Sequence, residues 1–220
     1  MRSIFPLLVR VCGGVIPLIP LFRQVHEAGE RMKQYASESL DRYRKLVESG
    51  KGEAPETLFS KVYQTNGQGA MPYHEVRDEA VNYIAAGSDT VSTTLSYLTW
   101  TLSKKLDVRD RLVEELEALP RGFGAQELRE LPYLNGVINE TLRIHTAAPA
   151  PFPRLVPAEG ADLAGYSLAG GVEVSAQAYS MHRDPAIFPD PDEFRPERWA
   201  APTAAMKDAF IPFGRGVRGE

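Results

Sequence analysis

The chain has 220 residues, 43% of them hydrophobic, enough to bury a core and suited to one domain or two small ones. Lys and Arg total 25 against 29 Asp and Glu, and the net charge of −4 offers no basic surface to nucleic acid. The single cysteine, Cys12, excludes an internal disulfide or a cysteine-rich zinc site and fits a reducing or cytosol-facing setting.

The first apolar stretch, "IFPLLVRVCGGVIPLIPLF" (4–22), is close to membrane-spanning length. Arg10 at its centre costs about 2.5–3.5 kcal/mol on insertion, and Pro6, Pro17 and Pro20 interrupt a helix. No small-residue cleavage site follows, so a core or surface-dipping segment is expected rather than one spanning helix. Residues 23–49 read as a charged amphipathic helix ending at Gly50, followed by the loop "GKGEAPE" (50–56). From about Glu75 to Leu102, apolar residues recur three or four apart, which predicts a helix roughly 40 Å long. Asp107 is the expected cap of the next helix. There Leu112, Val113, Leu116 and Leu119 face inward and Glu114, Glu115 and Glu117 outward. A further helix spans about Leu134 to His145. Beyond "AAPAPFP" come strand-like pieces at 154–156, 161–168 and 172–180, with Gly170-Gly171 at a turn. "RDPAIFPDPDEFRPERW" is too proline-rich for one regular element. The fold class is mainly α with a small β-sheet, read as a single domain over residues 1–220.

Three segments stand out chemically. "AAGSDTVSTT" (85–94) puts weak helix formers in the middle of the long helix. Such a conflict with local propensity is expected at a functional site. Gly87 would let a flat body lie against the helix, with the Asp89 carboxylate and Thr90 hydroxyl beside it in a cleft. The bland alternative is hydroxyl back-bonding to helix carbonyls. "ETLR" places Glu140 and Arg143 on one helix face, by itself an ordinary surface pair. If Arg198 of "PERW" (196–199) reached Glu140, the three would pin coil to helix as a buried ion-pair cluster. "FIPFGRGVRGE" (210–220) alternates glycines with arginines, a loop able to approach a ligand closely and meet carboxylates or phosphates.

Other motifs fail on spacing. "HRD" (182–184) lacks the Asn and Asp-Phe-Gly of a kinase loop, and "HEVRD" (74–78) has Asp78 where a zinc helix needs its second histidine. "GFG" (122–124) lacks the rest of a dinucleotide fingerprint. His26, His74, His145 and His182 show no ligand spacing and read as structural or solvated.

Taken in order, "AGSDT" (86–90), "ETLR" (140–143), "PERW" (196–199) and "FIPFGRGVRG" (210–219) resemble the cytochrome P-450 family of haem-thiolate monooxygenases. Each motif is weak alone; four in the family's order are specific and cover nearly the whole chain. The resemblance implies part of the family fold: long distal helix, Glu-x-x-Arg helix, short strands, and Pro-rich coil leading to the haem loop. It implies haem b as cofactor, with Ala86, Gly87, Arg154, Phe213, Gly216 and Arg218 binding it and the two arginines on its propionates. Asp89 and Thr90 would be catalytic, managing protons. Glu140, Arg143 and Arg198 would be structural. It further implies a small apolar substrate, NADPH electrons through a reductase partner, and peripheral contact with the endoplasmic reticulum membrane surface, or a cytoplasmic location if the family's anchor is absent.

The sequence departs from the family at its end. The loop pattern is Phe-x-x-Gly-x-Arg-x-Cys; Phe213, Gly216 and Arg218 match, but Glu220 stands where the thiolate ligand belongs. The expectation is the middle-to-late part of a longer chain, lacking the front half and final helix, and inactive as a monooxygenase. A haem-free cyclase or isomerase using Asp89 as an acid, and a non-catalytic remnant, are the alternatives.

Overall fold

A computed structural model describes residues 20–49 and 72–215. The chain forms two compact units, residues 1–88 and 89–220, and their boundary falls inside one helix.

In the first unit, α1 (Pro20–Ser49) and the first half of α2 (Tyr73–Lys104) pack together. Ala36 and Leu40 of α1 meet Val76 and Ala80 of α2, each pair four apart on one helix face, with Val81 and Ile84 at the edge. The Tyr73 hydroxyl donates to Asp41 across this seam at 3.3 Å.

The second unit holds the rest of α2, then α3 (Leu106–Glu117), α4 (Ala125–Glu130) and α5 (Pro132–Ile144). One core joins Val108 and Leu112 of α3 to Val137 of α5 and Phe194, flanked by Leu98 and Leu102 of α2. α3 begins after Lys105, so the expected cap Asp107 lies within the first turn. There its carboxylate still complements the helix dipole. Val113, expected inside, is exposed. Glu115, expected outside, is half-buried: its carboxylate accepts the Tyr133 and Leu134 N–H groups, both at 2.8 Å. These are orphan donors of the first turn of α5, which Pro132 opens.

The strands are β1 (Pro151–Leu155), β2 (Ala161–Leu163), β3 (Tyr166–Leu168) and β4 (Glu173–Gln177). β1 pairs antiparallel with β4, from Pro151 opposite Gln177 to Leu155 opposite Glu173. The stretch 161–168, expected as one strand, is a hairpin of β2 and β3. Ala164 and Gly165 turn it with φ of 54° and 84°, and the Asp162 carboxylate accepts the Gly165 N–H at 3.0 Å. The predicted Gly170-Gly171 turn is present; a Cβ on Gly170 would sit 2.4 Å from the Ala158 carbonyl oxygen.

β4 runs directly into α6 (Ala178–Met181), which ends its expected extension to 180. The Pro-rich coil then leads through a 3-10 turn (Pro196–Trp199) to α7 (Ala204–Ala209). A second core of Phe188, Met206 and Ala209, flanked by Met181, Ile187 and Trp199, holds coil to helix.

Candidate functional site

α5 approaches the 3-10 turn closely because residue 136 is glycine: a Cβ there would lie 2.8 Å from the Pro196 carbonyl oxygen. One turn further on, Glu140 and Arg143 point into that junction and are both fully buried. Arg143 gives Nε and Nη2 to the two carboxylate oxygens of Glu140, each at 2.9 Å. Its remaining N–H groups reach the carbonyls of His182 and Pro191, both at 2.7 Å, and Glu193 at 3.2 Å. Every donor of the guanidinium fork is therefore used.

Arg198 completes the predicted cluster. Its Nε donates to Glu140 Oε1 at 2.9 Å, and Nη1 reaches the Pro189 carbonyl at 3.1 Å. Two further partners of Glu140 were not foreseen: the Arg195 backbone N–H and the Trp199 indole N–H, both at 2.9 Å. The Glu140 carboxylate thus pairs with two guanidiniums and orders the coil through a main-chain contact. This arrangement makes burial of the three charges tolerable. The Trp199 donor was the legible part, since a packed indole needs an acceptor.

His182, read from sequence as structural or solvated, is buried beside the cluster. Its Nε2 accepts the Ile211 N–H at 2.9 Å, so Nδ1 carries the proton and donates to the Arg143 carbonyl at 3.1 Å. Burial, with the nearby Arg143 and Arg183 charges, pushes its pKa down to about 4; the hydrogen bond at the Arg143 carbonyl opposes this in part. Phe210 lies between two rings of this group, 5.4 Å from His182 and 4.5 Å from Trp199 by centroids.

The other predicted residues are not drawn into the cluster. Ala86, Gly87, Asp89 and Thr90 are exposed on α2, which runs as a continuous α-helix through the low-propensity stretch. Ser92, Thr94, Ser96 and Thr99 turn their hydroxyls onto carbonyls three or four residues back, between 2.7 and 3.1 Å, the back-bonding that the sequence offered as the alternative. Gly87 does leave open surface, since a Cβ there would meet nothing within 4 Å. Arg154 is exposed on β1, donating to the Pro153 carbonyl, and Phe213 is exposed beyond α7. Gly216, Arg218 and Glu220 lie outside the described residues, as does nearly all of the 4–22 segment. Among the described residues no helix is long and apolar enough to cross a membrane, and no acidic, His or Cys group is arranged to hold a metal.

A mainly helical chain whose Glu-x-x-Arg helix is locked to a Pro-Glu-Arg coil matches a known family: the Cytochrome P450 family model covers residues 10–219. The chain belongs to the cytochrome P450 family. A cytochrome P450 monooxygenase, tazI, of Aspergillus terreus is 46% identical over 219 residues, 99% of this chain and 44% of that protein. Another, orf2 of Aspergillus niger, is 42% identical over 99% of this chain and 43% of its own length. Among solved structures, a retinoic acid-bound cyanobacterial CYP120A1 superposes with a TM-score of 0.70 at 25% identity, covering 92% of this chain and 47% of that one. A zebrafish cytochrome P450 with abiraterone gives 0.66 at 26% identity, covering 92% and 53%. This cytochrome P450 chain therefore spans less than half the length of these two curated relatives.

Proposed function

We propose that this chain is the later part of a haem-dependent monooxygenase for a small apolar metabolite, and that as it stands it does not form a thiolate-ligated centre. The observation that supports the reading is the buried Glu140–Arg143–Arg198 cluster, tied through Trp199 and His182 to Phe210 and Ile211. A rigid platform of this kind steadies the loop that follows, and a loop holding a rigid cofactor needs one.

The residues suit the edges and face of haem better than its metal. Gly87 offers a flat open patch, and the exposed Arg154, with Arg218 in the sequence beyond, can meet two carboxylates by charge-assisted bonds. Position 220 does not suit the iron: glutamate is a hard oxygen donor, whereas the family uses a soft thiolate. Haem bound through a thiolate supplies the electron density that favours O–O cleavage. Without the thiolate, no oxygen chemistry is assigned to this chain. Asp89 and Thr90 offer an ionisable carboxylate and a hydroxyl on accessible α2 surface, where they would hold and pass protons. NADPH electrons would come through a reductase partner at the endoplasmic reticulum surface, with peripheral membrane contact; without an anchor the chain would be cytoplasmic. The tryprostatin B 6-hydroxylase of Aspergillus fumigatus, 35% identical over 174 residues, favours a small-molecule hydroxylation as the parent reaction. The haem-free acid reading asks for Asp89 in an apolar groove, and its exposure lends that reading no support.

Titration of ferric haem into the purified chain, followed by absorbance, tests this. The expected result is loose, saturable association that weakens about tenfold or more in Arg154→Ala, the loss of one charge-assisted contact. Equal uptake by the variant overturns the propionate assignment. No uptake at all overturns the haem reading and leaves a non-catalytic remnant.

A further inference from the structure

We propose that His182 is a positioning residue: through its ring, the buried cluster sets the place of the turn that presents Phe213. The proposal rests on the functional reading above only in taking that turn to serve the cofactor loop. The geometry itself is independent of haem.

Phe210 ends α7, its N–H still bonded to the Met206 carbonyl at 3.0 Å. Ile211 is the next donor, and the direction in which the chain leaves α7 depends on what receives that N–H. His182 Nε2 receives it at 2.9 Å in a buried contact. Ile211 then opens a tight turn, Ile211-Pro212-Phe213-Gly214, closed by the Gly214 N–H on the Ile211 carbonyl at 3.1 Å. Pro212 supplies the fixed φ such a turn favours at its second position, and Gly214 follows with φ of 77°. Arg215 folds back on Asp208, giving Nη1 to its carbonyl at 2.6 Å and Nη2 to its carboxylate at 2.8 Å. The far end of the turn is thus tied to exposed α7 surface. Its near end is tied to the core through His182.

The chemistry of the spot explains the residue. The ring is buried, and Arg143 and Arg183 both bear on it, so a cation is disfavoured. It must accept from Ile211 and donate to the Arg143 carbonyl in one plane. Neutral imidazole provides a donor and an acceptor on opposite edges of one rigid body. Glutamine reaches only the Nε2 position with its amide and asparagine only the Nδ1 position, so the two contacts can be separated.

The experiment is nitrogen-15 and amide-exchange NMR on the full 220-residue chain without haem. In the wild type, His182 is expected as the neutral Nδ1–H tautomer at pH 7, with a through-bond coupling from the Ile211 amide to Nε2 and a slowly exchanging Ile211 amide. In His182→Asn, the Ile211 and Gly214 amides are expected to exchange about five- to tenfold faster than in His182→Gln, the loss of one buried hydrogen bond. An Nε2–H tautomer, an imidazolium, or equal exchange in the two variants overturns the proposal. If both variants unfold, the wild-type tautomer and coupling decide by themselves. Because none of these readouts uses haem, failure here leaves the haem titration standing, and failure there leaves this result standing.

Discussion

Replacing Glu140 with alanine would leave the Arg143 guanidinium fully buried with no counter-charge and would free the Trp199 indole and Arg195 amide. Removing one partner from such a set costs about 3–5 kcal/mol, to be read as a lower urea midpoint at unchanged slope. Glu140→Gln keeps the shape and part of the hydrogen bonding and should cost less. His182 carries a pH prediction. Its folded pKa of about 4 lies below the ordinary value of 6.5, so the unfolded chain binds this proton more readily. Its contribution to stability is therefore full above about pH 6.5 and is lost as pH falls towards 4. The total is about 3 kcal/mol at 1.36 kcal/mol per unit. Urea unfolding at pH 7 and pH 4.5 should show a drop that His182→Gln lacks. The Glu140, Arg143 and Arg198 grouping was legible from the sequence because each residue sits in a short charged motif. His182 was not, because its partners are main-chain groups 39 and 29 residues away, and no spacing rule reports a contact with a backbone amide.

At the scale of elements, Gly136→Ala sets two effects against each other. Alanine in a helix interior gains up to about 1 kcal/mol over glycine. The added Cβ would, however, lie 2.8 Å from the Pro196 carbonyl oxygen, which is backbone and cannot swing aside. Overpacking of this kind costs about 1–3 kcal/mol, so a net loss in thermal stability is expected. A gain would show that the α5 junction is looser than described. Glu115→Ala should cost about 1 kcal/mol by uncapping the start of α5, with little further change if Glu114 is also replaced. Helix positions were legible because long apolar periodicity survives local irregularity: α1, α2, α3 and α5 all lie within a few residues of their expected spans. Less was legible where one short residue decides. Ala164-Gly165 split an expected strand, and Glu115 turned inward to serve the neighbouring helix. The serine and threonine run of α2 conflicts with propensity, yet back-bonded hydroxyls satisfy it within a regular helix.

At the scale of the whole molecule, the family was legible because four weak motifs stand in order, and the match over residues 10–219 bears that out. The functional account turns on position 220, where a glutamate replaces the family's sulfur donor. The most direct measurement is the absorbance spectrum of the chain mixed with haem, reduced, and exposed to carbon monoxide. The account predicts a loose complex with a Soret band typical of oxygen- or nitrogen-ligated haem, because a carboxylate is a poor donor to ferrous iron. A Soret band at the red-shifted position of thiolate ligation would contradict it, since only Cys12 could then be the ligand.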